Sequence, residues 1–198
     1  MKIRQRGFTL IEIVLVLAAV GIVSTLIVPS ATNLVSETRL RLSATQMAGI
    51  LRTARSLAIR YSAYVAVRFT GREPGAVSYS LYRDGNGNGV LSHDIATGVD
   101  PVLATPHRVD QLGVHFHFGF PPGPPIPDPT SPDRLLRQGD DPIRFGASDL
   151  ASFDALGGAT PGSIYLTDGK SRLAAVRVTG RTGRVRVMLY EPRTRVWH

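Results

Sequence analysis

Residues 8–28 read FTLIEIVLVLAAVGIVSTLIV, and the seven before them, MKIRQRG, carry Lys2, Arg4 and Arg6. The apolar run holds one charge, Glu12, and stops at Pro29. As a helix rising ~1.5 Å per residue, 21 residues span roughly 31 Å, the thickness of a bilayer's hydrocarbon core. Three cations before the run and none within it place its N-terminus on the cytoplasmic side and send the rest of the chain across.

Glu12 is the anomaly. A carboxylate inside an apolar helix costs roughly a few kcal/mol unless it is paired, so such a residue points to a function. A secretory signal peptide has no use for it and would show a small-x-small cleavage site after the apolar core. Here the Gly7-Phe8 junction lies before the core. The stretch RGFTLIEIVLVLAAVGIV resembles the leader of type IV prepilins and of type II secretion pseudopilins. The resemblance implies that a membrane prepilin peptidase cuts after Gly7 and that the new amino group of Phe8 is methylated. It also implies that the helix enters a filament core, where Glu12 meets the N-terminal amine of a neighbouring subunit.

The remaining composition suits one domain hung on that anchor. The 198 residues include no cysteine, which excludes a disulfide framework and thiol chemistry. The formal net charge is +8, carried by 21 Arg and only two Lys, Lys2 and Lys170. Arginine favours bidentate contacts to phosphate or carboxylate.

Beyond Pro29, Leu40, Ala44, Met47, Leu51, Ala54, Ala58 and Tyr61 recur at spacings of three and four, while Arg41, Arg52, Ser56 and Arg60 fall off that stripe. One long helix over about 8–62 accounts for both halves, with Pro29 tolerated where the apolar part ends. From Tyr64 the period becomes two: 64–69 and 77–82 form a hairpin, and weaker strands follow at 114–118 and 143–145. The C-terminal third holds strands at 163–167, 173–179 and 184–190, parted by Asp168-Gly169 and by 180–183. Residues 119–133 contain seven prolines in fifteen positions and read as an extended surface loop, neither helix nor central strand.

The expected fold class is α+β and pilin-like: a long N-terminal helix, half transmembrane and half amphipathic, packed on antiparallel sheet. Its parts are a leader at 1–7, a transmembrane and filament-core helix at 8–28, and a periplasmic domain at 29–198. The segments MAGILRTARSLAIRYSAYVAVRF and SIYLTDGKSRLAAVRVTGRTGRVRV resemble the GspH/FimT family. That resemblance implies a single-pass protein of the bacterial inner membrane, assembled with other pseudopilins or pilins. Two machineries fit: a type II secretion pseudopilus supporting protein secretion, with this chain near its tip, or a type IV pilus, where a FimT-like minor pilin takes part in assembly or DNA uptake.

Three candidate sites remain. Asp84, Asn86 and Asn88 stand at positions one, three and five of a calcium-loop pattern with Gly89 at six. Position twelve is Ile95, not Glu; Asp94 lies one residue early, and Asp100 serves only if the chain folds back. Weak calcium binding or none is expected, the plain reading being a Gly/Asn-rich hairpin tip. If 180–183 is a four-residue hairpin loop, Arg177 faces Arg186, Arg184 shares their face and Arg181 stands at the tip. Facing like charges favour an acidic partner such as the DNA backbone. The run Gly183-Arg184-Val185-Arg186 resembles the GRxR motif of FimT-like minor pilins, and similar runs occur in secretion pseudopilins. His115 and His117 share a strand face but lack further ligands, so they read as strand residues. No Ser-His-acid arrangement, P-loop or dinucleotide fingerprint is present, and a non-enzymatic structural subunit with no cofactor is expected. A plain anchored binding domain would differ in keeping its leader uncut.

Overall fold

The computed structural model describes residues 9–71, 77–109 and 116–198, apart from the side chains of 24–34 and 132. Gly7, Phe8, His115 and all but the first residue of the turn expected at 71–75 lie outside the described residues. The chain divides into two compact units, Met1–Thr38 and Arg39–His198. One helix, α1 (Leu10–Tyr61, 52 residues), runs from the first into the second, close to the expected bounds.

Within the first unit the described apolar side chains from Leu10 to Val23 are exposed. Leu10 is 82% exposed, and Ile11, Leu15, Leu17 and Ile22 are exposed on every side of the helix. Among the described residues no helix is long and apolar enough to cross a membrane. The apolar run expected at 8–28 is described by its side chains only as far as Val23.

In the second unit the α1 stripe is buried as its spacing requires. Leu40, Ala44, Met47, Ala48, Leu51, Ala54 and Ala58 are at most 3% exposed, and Arg41, Arg52, Ser56 and Arg60 face outward. Small residues at four of those seven positions let strands approach the helix axis closely. Tyr61 departs from the stripe: it is 42% exposed, with the Arg83 guanidinium 5.7 Å from its ring centroid.

Two antiparallel sheets share that core. The first contains β1 (Val65–Thr70), β2 (Ser78–Arg83), β3 (Val102–Arg108) and β8 (Leu150–Phe153), in the order β3-β2-β1-β8. The second contains β4 (His117–Phe118), β9 (Gly162–Thr167), β10 (Leu173–Val178), β11 (Val185–Glu191) and β12 (Val196–Trp197), in the order β12-β11-β10-β9-β4, with β7 (Ile143–Arg144) also on β9. Val65 and Val67 from the first sheet meet Ile164, Leu166, Ala174 and Val176 from the second beside the helix. A smaller cluster of Phe120, Ile126, Leu136, Tyr165, Leu173, Ala175 and Tyr190 lies on the other face of the second sheet.

The proline-rich segment is more structured than an extended surface loop. It contains β5 (Ile126–Asp128), paired antiparallel with β6 (Ser131–Leu136) as a separate hairpin. Phe120 and Ile126 bury into the second cluster, and Trp197 Nε1 donates to the Pro127 carbonyl at 2.8 Å. Proline excludes the segment from a central sheet, as expected, but not from a two-stranded one.

Candidate functional site

Of the assembly residues, only Glu12 lies within the description. It occupies the first turn of α1 and is exposed. Its backbone N–H is directed at the Thr9 carbonyl at 3.1 Å and the Thr9 hydroxyl oxygen at 3.4 Å. Thr9-Leu10-Ile11-Glu12 is thus the S/T-x-x-E signature of a helix start, with Thr9 as cap. The sequence carried that signal beside the anomaly that drew attention to Glu12. A carboxylate in a first turn is favoured by the positive end of the helix dipole, which offsets part of its cost in an apolar setting.

The aspartate loop joins β2 to a short helix, α2 (Ser92–Thr97), and is not a hairpin tip. Asp84, Asp94 and Asp100 are all buried. Asp84 Oδ1 accepts the N–H groups of Asn86 and Gly87, and its Oδ2 accepts that of Gly89 at 2.8 Å. Asp100 does fold back: its two oxygens accept the N–H groups of Gly85 and Leu91, each at 3.0 Å. Asn86 and Asn88 turn their amide N–H groups toward Asp94 Oδ2, at 3.2 and 3.0 Å. Gly85 is needed because a Cβ there would sit 1.9 Å from the Val99 carbonyl oxygen. Asp84 and Asp100 thus serve as acceptors for the loop's own backbone and Asp94 for its asparagine amides, and among the described residues no group of three His, Cys, Asp or Glu is arranged to hold a metal. The loop brings its expected members together, but as donors and acceptors for one another.

The β10–β11 hairpin has the expected register, with Arg177 opposite Arg186 and Thr179 N–H donating to the Arg184 carbonyl at 3.0 Å. The arginines divide between two places. Arg184 and Arg186 line an open groove of about 780 Å³ whose other wall is α1, bearing Arg52 and Arg55. Among the described residues no carboxylate lines it. Arg52 Nη2 donates to the Val185 carbonyl at 3.2 Å, and Arg55 Nε to the Gly157 carbonyl at 2.9 Å. Both guanidiniums donate to neutral oxygens and form no ion pair among the described residues. Gly183 has φ +55, and a Cβ on it would lie 2.1 Å from the Gly157 oxygen and 2.9 Å from Arg55 Nε. The glycine of the GRxR run thus lets β11 close on Arg55. Arg181 is exposed at the hairpin tip.

Arg177 shares the sheet face of Arg186 opposite it. With Asp128, Arg134, Arg144, Ser163 and Tyr165 it lines a cavity of about 210 Å³ beneath the β5–β6 hairpin. Burial, with the Asp128 charge next in weight, pushes the Tyr165 phenol up to about 12. His117 lies exposed on β4.

Residues 2–28 match the family model of the prokaryotic N-terminal methylation motif. No curated protein and no solved structure matches the chain. The match covers the basic leader, the Gly7-Phe8 junction, Glu12 and the apolar helix, so the chain carries the N-terminal motif of type IV pilin-like proteins, which are processed by prepilin peptidase and assemble with other pilins.

Proposed function

We propose that the chain is a minor pseudopilin of a type II secretion system, a non-enzymatic subunit at or near the tip of the pseudopilus. Before assembly it is anchored in the inner membrane through 8–28, with the second unit in the periplasm. The observation that carries this reading is the methylation motif at the head of a helix whose apolar residues from Leu10 to Val23 are exposed on every side. A helix apolar on every face needs lipid or other helices around it, and a filament core supplies the second after the membrane supplies the first. Glu12 then pairs with a neighbour's N-terminal amine, which offsets its burial. In the producing cell, Glu12→Val should abolish incorporation of the full chain into filaments while the protein still accumulates in the membrane. Normal incorporation of the variant contradicts the reading.

The four-arginine groove supports a second reading, a minor type IV pilin that takes part in DNA uptake. Arg52, Arg55, Arg184 and Arg186 in the groove's lining suit a phosphate backbone, bound without sequence preference and weakened by salt. Gel shift with duplex DNA should show binding that added salt weakens and that Arg184→Ala with Arg186→Ala removes. No binding at low salt discards this reading for the groove.

A further inference from the structure

The cavity under the β5–β6 hairpin gathers three arginines, Arg134, Arg144 and Arg177. Arg144 forms its floor. Its Nε donates to the Asp141 carbonyl at 2.7 Å and its Nη2 to Asp140 Oδ2 at 3.2 Å. These two bonds fix the guanidinium plane, and the group lies 5.6 Å from the ring centroids of both Phe120 and Tyr165. The third nitrogen, Nη1, is buried and has no hydrogen-bond partner. Asp128 Oδ2 lies 3.9 Å from it, too far for a hydrogen bond. Asp128 Oδ1 is already engaged by the Thr130 N–H at 2.8 Å. A buried guanidinium nitrogen without an acceptor has lost its water and gained nothing in return, so it calls for a partner.

The walls indicate what kind. Arg134 and Arg177 line the cavity, and neither pairs with a carboxylate among the described residues. The Ser163 and Tyr165 hydroxyls, which interact with each other, stand beside them. Three guanidiniums meet two carboxylates, Asp128 in the lining and Asp140 on Arg144, leaving one positive charge around a space of about 210 Å³. That is below the ~300–1,000 Å³ of pockets for drug-sized ligands. Arginine forks match the planar pairs of oxygens on phosphate and carboxylate groups.

We propose that this cavity is an oxyanion site, taking one phosphoryl or carboxylate group between Arg134, Arg144 and Arg177. Arg144 Nη1 is the fixed donor, and Arg134 and Arg177 close on the group from the cavity mouth. The group is either a free phosphate or the carboxylate of a peptide. The site is independent of the filament reading, because no residue of the first unit lines it.

The test uses the full chain in detergent micelles at low ionic strength. It is titrated separately with inorganic phosphate and with acetate, against sodium chloride of equal ionic strength. Binding is read from the arginine N–H signals in nitrogen-15 NMR. Saturable shifts centred on Arg144 and Arg177 are expected with at least one anion and not with chloride. Tighter binding of phosphate assigns the site to a phosphoryl group, and tighter binding of acetate to a peptide carboxylate. Arg177→Gln should weaken binding about tenfold, the loss of one charge-assisted pair. Arg60→Gln should leave it within about twofold, because no residue of α1 lines the cavity. Shifts that never saturate with either anion, or an Arg177→Gln protein that binds unchanged, overturn the proposal.

Discussion

Arg52 on α1 holds the Val185 carbonyl of β11, Nη2 to oxygen at 3.2 Å. Leu189, four residues on, exchanges both its backbone bonds with His198. By alternation Val185 and Val187 turn their backbone groups to that same edge, where β12 pairs only with Tyr190 and Glu191. Arg52 therefore caps an otherwise open stretch of strand edge, a position where long cations protect sheets from unwanted pairing. Arg52→Met keeps the apolar stem and removes the cap. It should cost about 1 kcal/mol, or roughly 3 °C of melting temperature for a chain of this size. An unchanged melting temperature would show that solvent serves the carbonyl equally well.

Gly183 and Gly180 flank the same hairpin and should respond differently to alanine. At Gly183 a methyl group meets the Gly157 oxygen at 2.1 Å in a left-handed conformation. At Gly180 the nearest atoms lie at 3.4 Å, and no positive φ is involved. Gly183→Ala should destabilise by about 2 kcal/mol or more, while Gly180→Ala should stay within about 0.5 kcal/mol. Denaturant unfolding of the two variants side by side makes the comparison.

The aspartate loop holds itself together through its carboxylates, so its stability should not depend on calcium. Asp84→Asn leaves an amide in place of oxygens that accept three backbone N–H groups. The variant should lose about 1–3 kcal/mol. The melting temperature of the unaltered chain should move by less than about 2 °C between excess calcium and excess chelator. A larger calcium-dependent rise would show that the loop carboxylates coordinate the ion.

Much of the architecture is legible in the sequence where local pattern and tertiary role agree. The α1 stripe and the β10–β11 register followed from spacing alone, since residues three and four apart share a helix face and a Gly-bounded loop fixes strand pairing. Edge elements were harder to see. β3 lies at the edge of its sheet, is largely exposed and contains Pro106, so it shows no buried alternation. The β5–β6 hairpin was hidden by its prolines. Asp100 reaches Gly85 from fifteen residues away. Arg144 gains its place only when β7 joins β9 and the Phe120 segment covers them. Such pairings depend on the closed fold, and residue spacing does not encode them.

Tyr165 makes stability depend on pH in the alkaline range. Its phenol is raised to about 12 in the folded chain, from 10.0. The folded state therefore keeps a proton that the unfolded state releases. Its contribution is fully present below pH ~10 and is lost as pH rises from about 10 to 12, at most about 2–3 kcal/mol in all. Tyr165→Phe should flatten that part of the stability profile. An equally steep profile in the variant would assign the loss to other groups.

The most direct measurement is mass spectrometry of the N-terminus of the chain recovered from the membranes and filaments of a cell with its own prepilin peptidase. The account predicts a chain beginning at Phe8, its amino group carrying one methyl, with MKIRQRG removed. An intact Met1 in the mature protein, or a cut after about residue 20 as a signal peptidase would make, would contradict it.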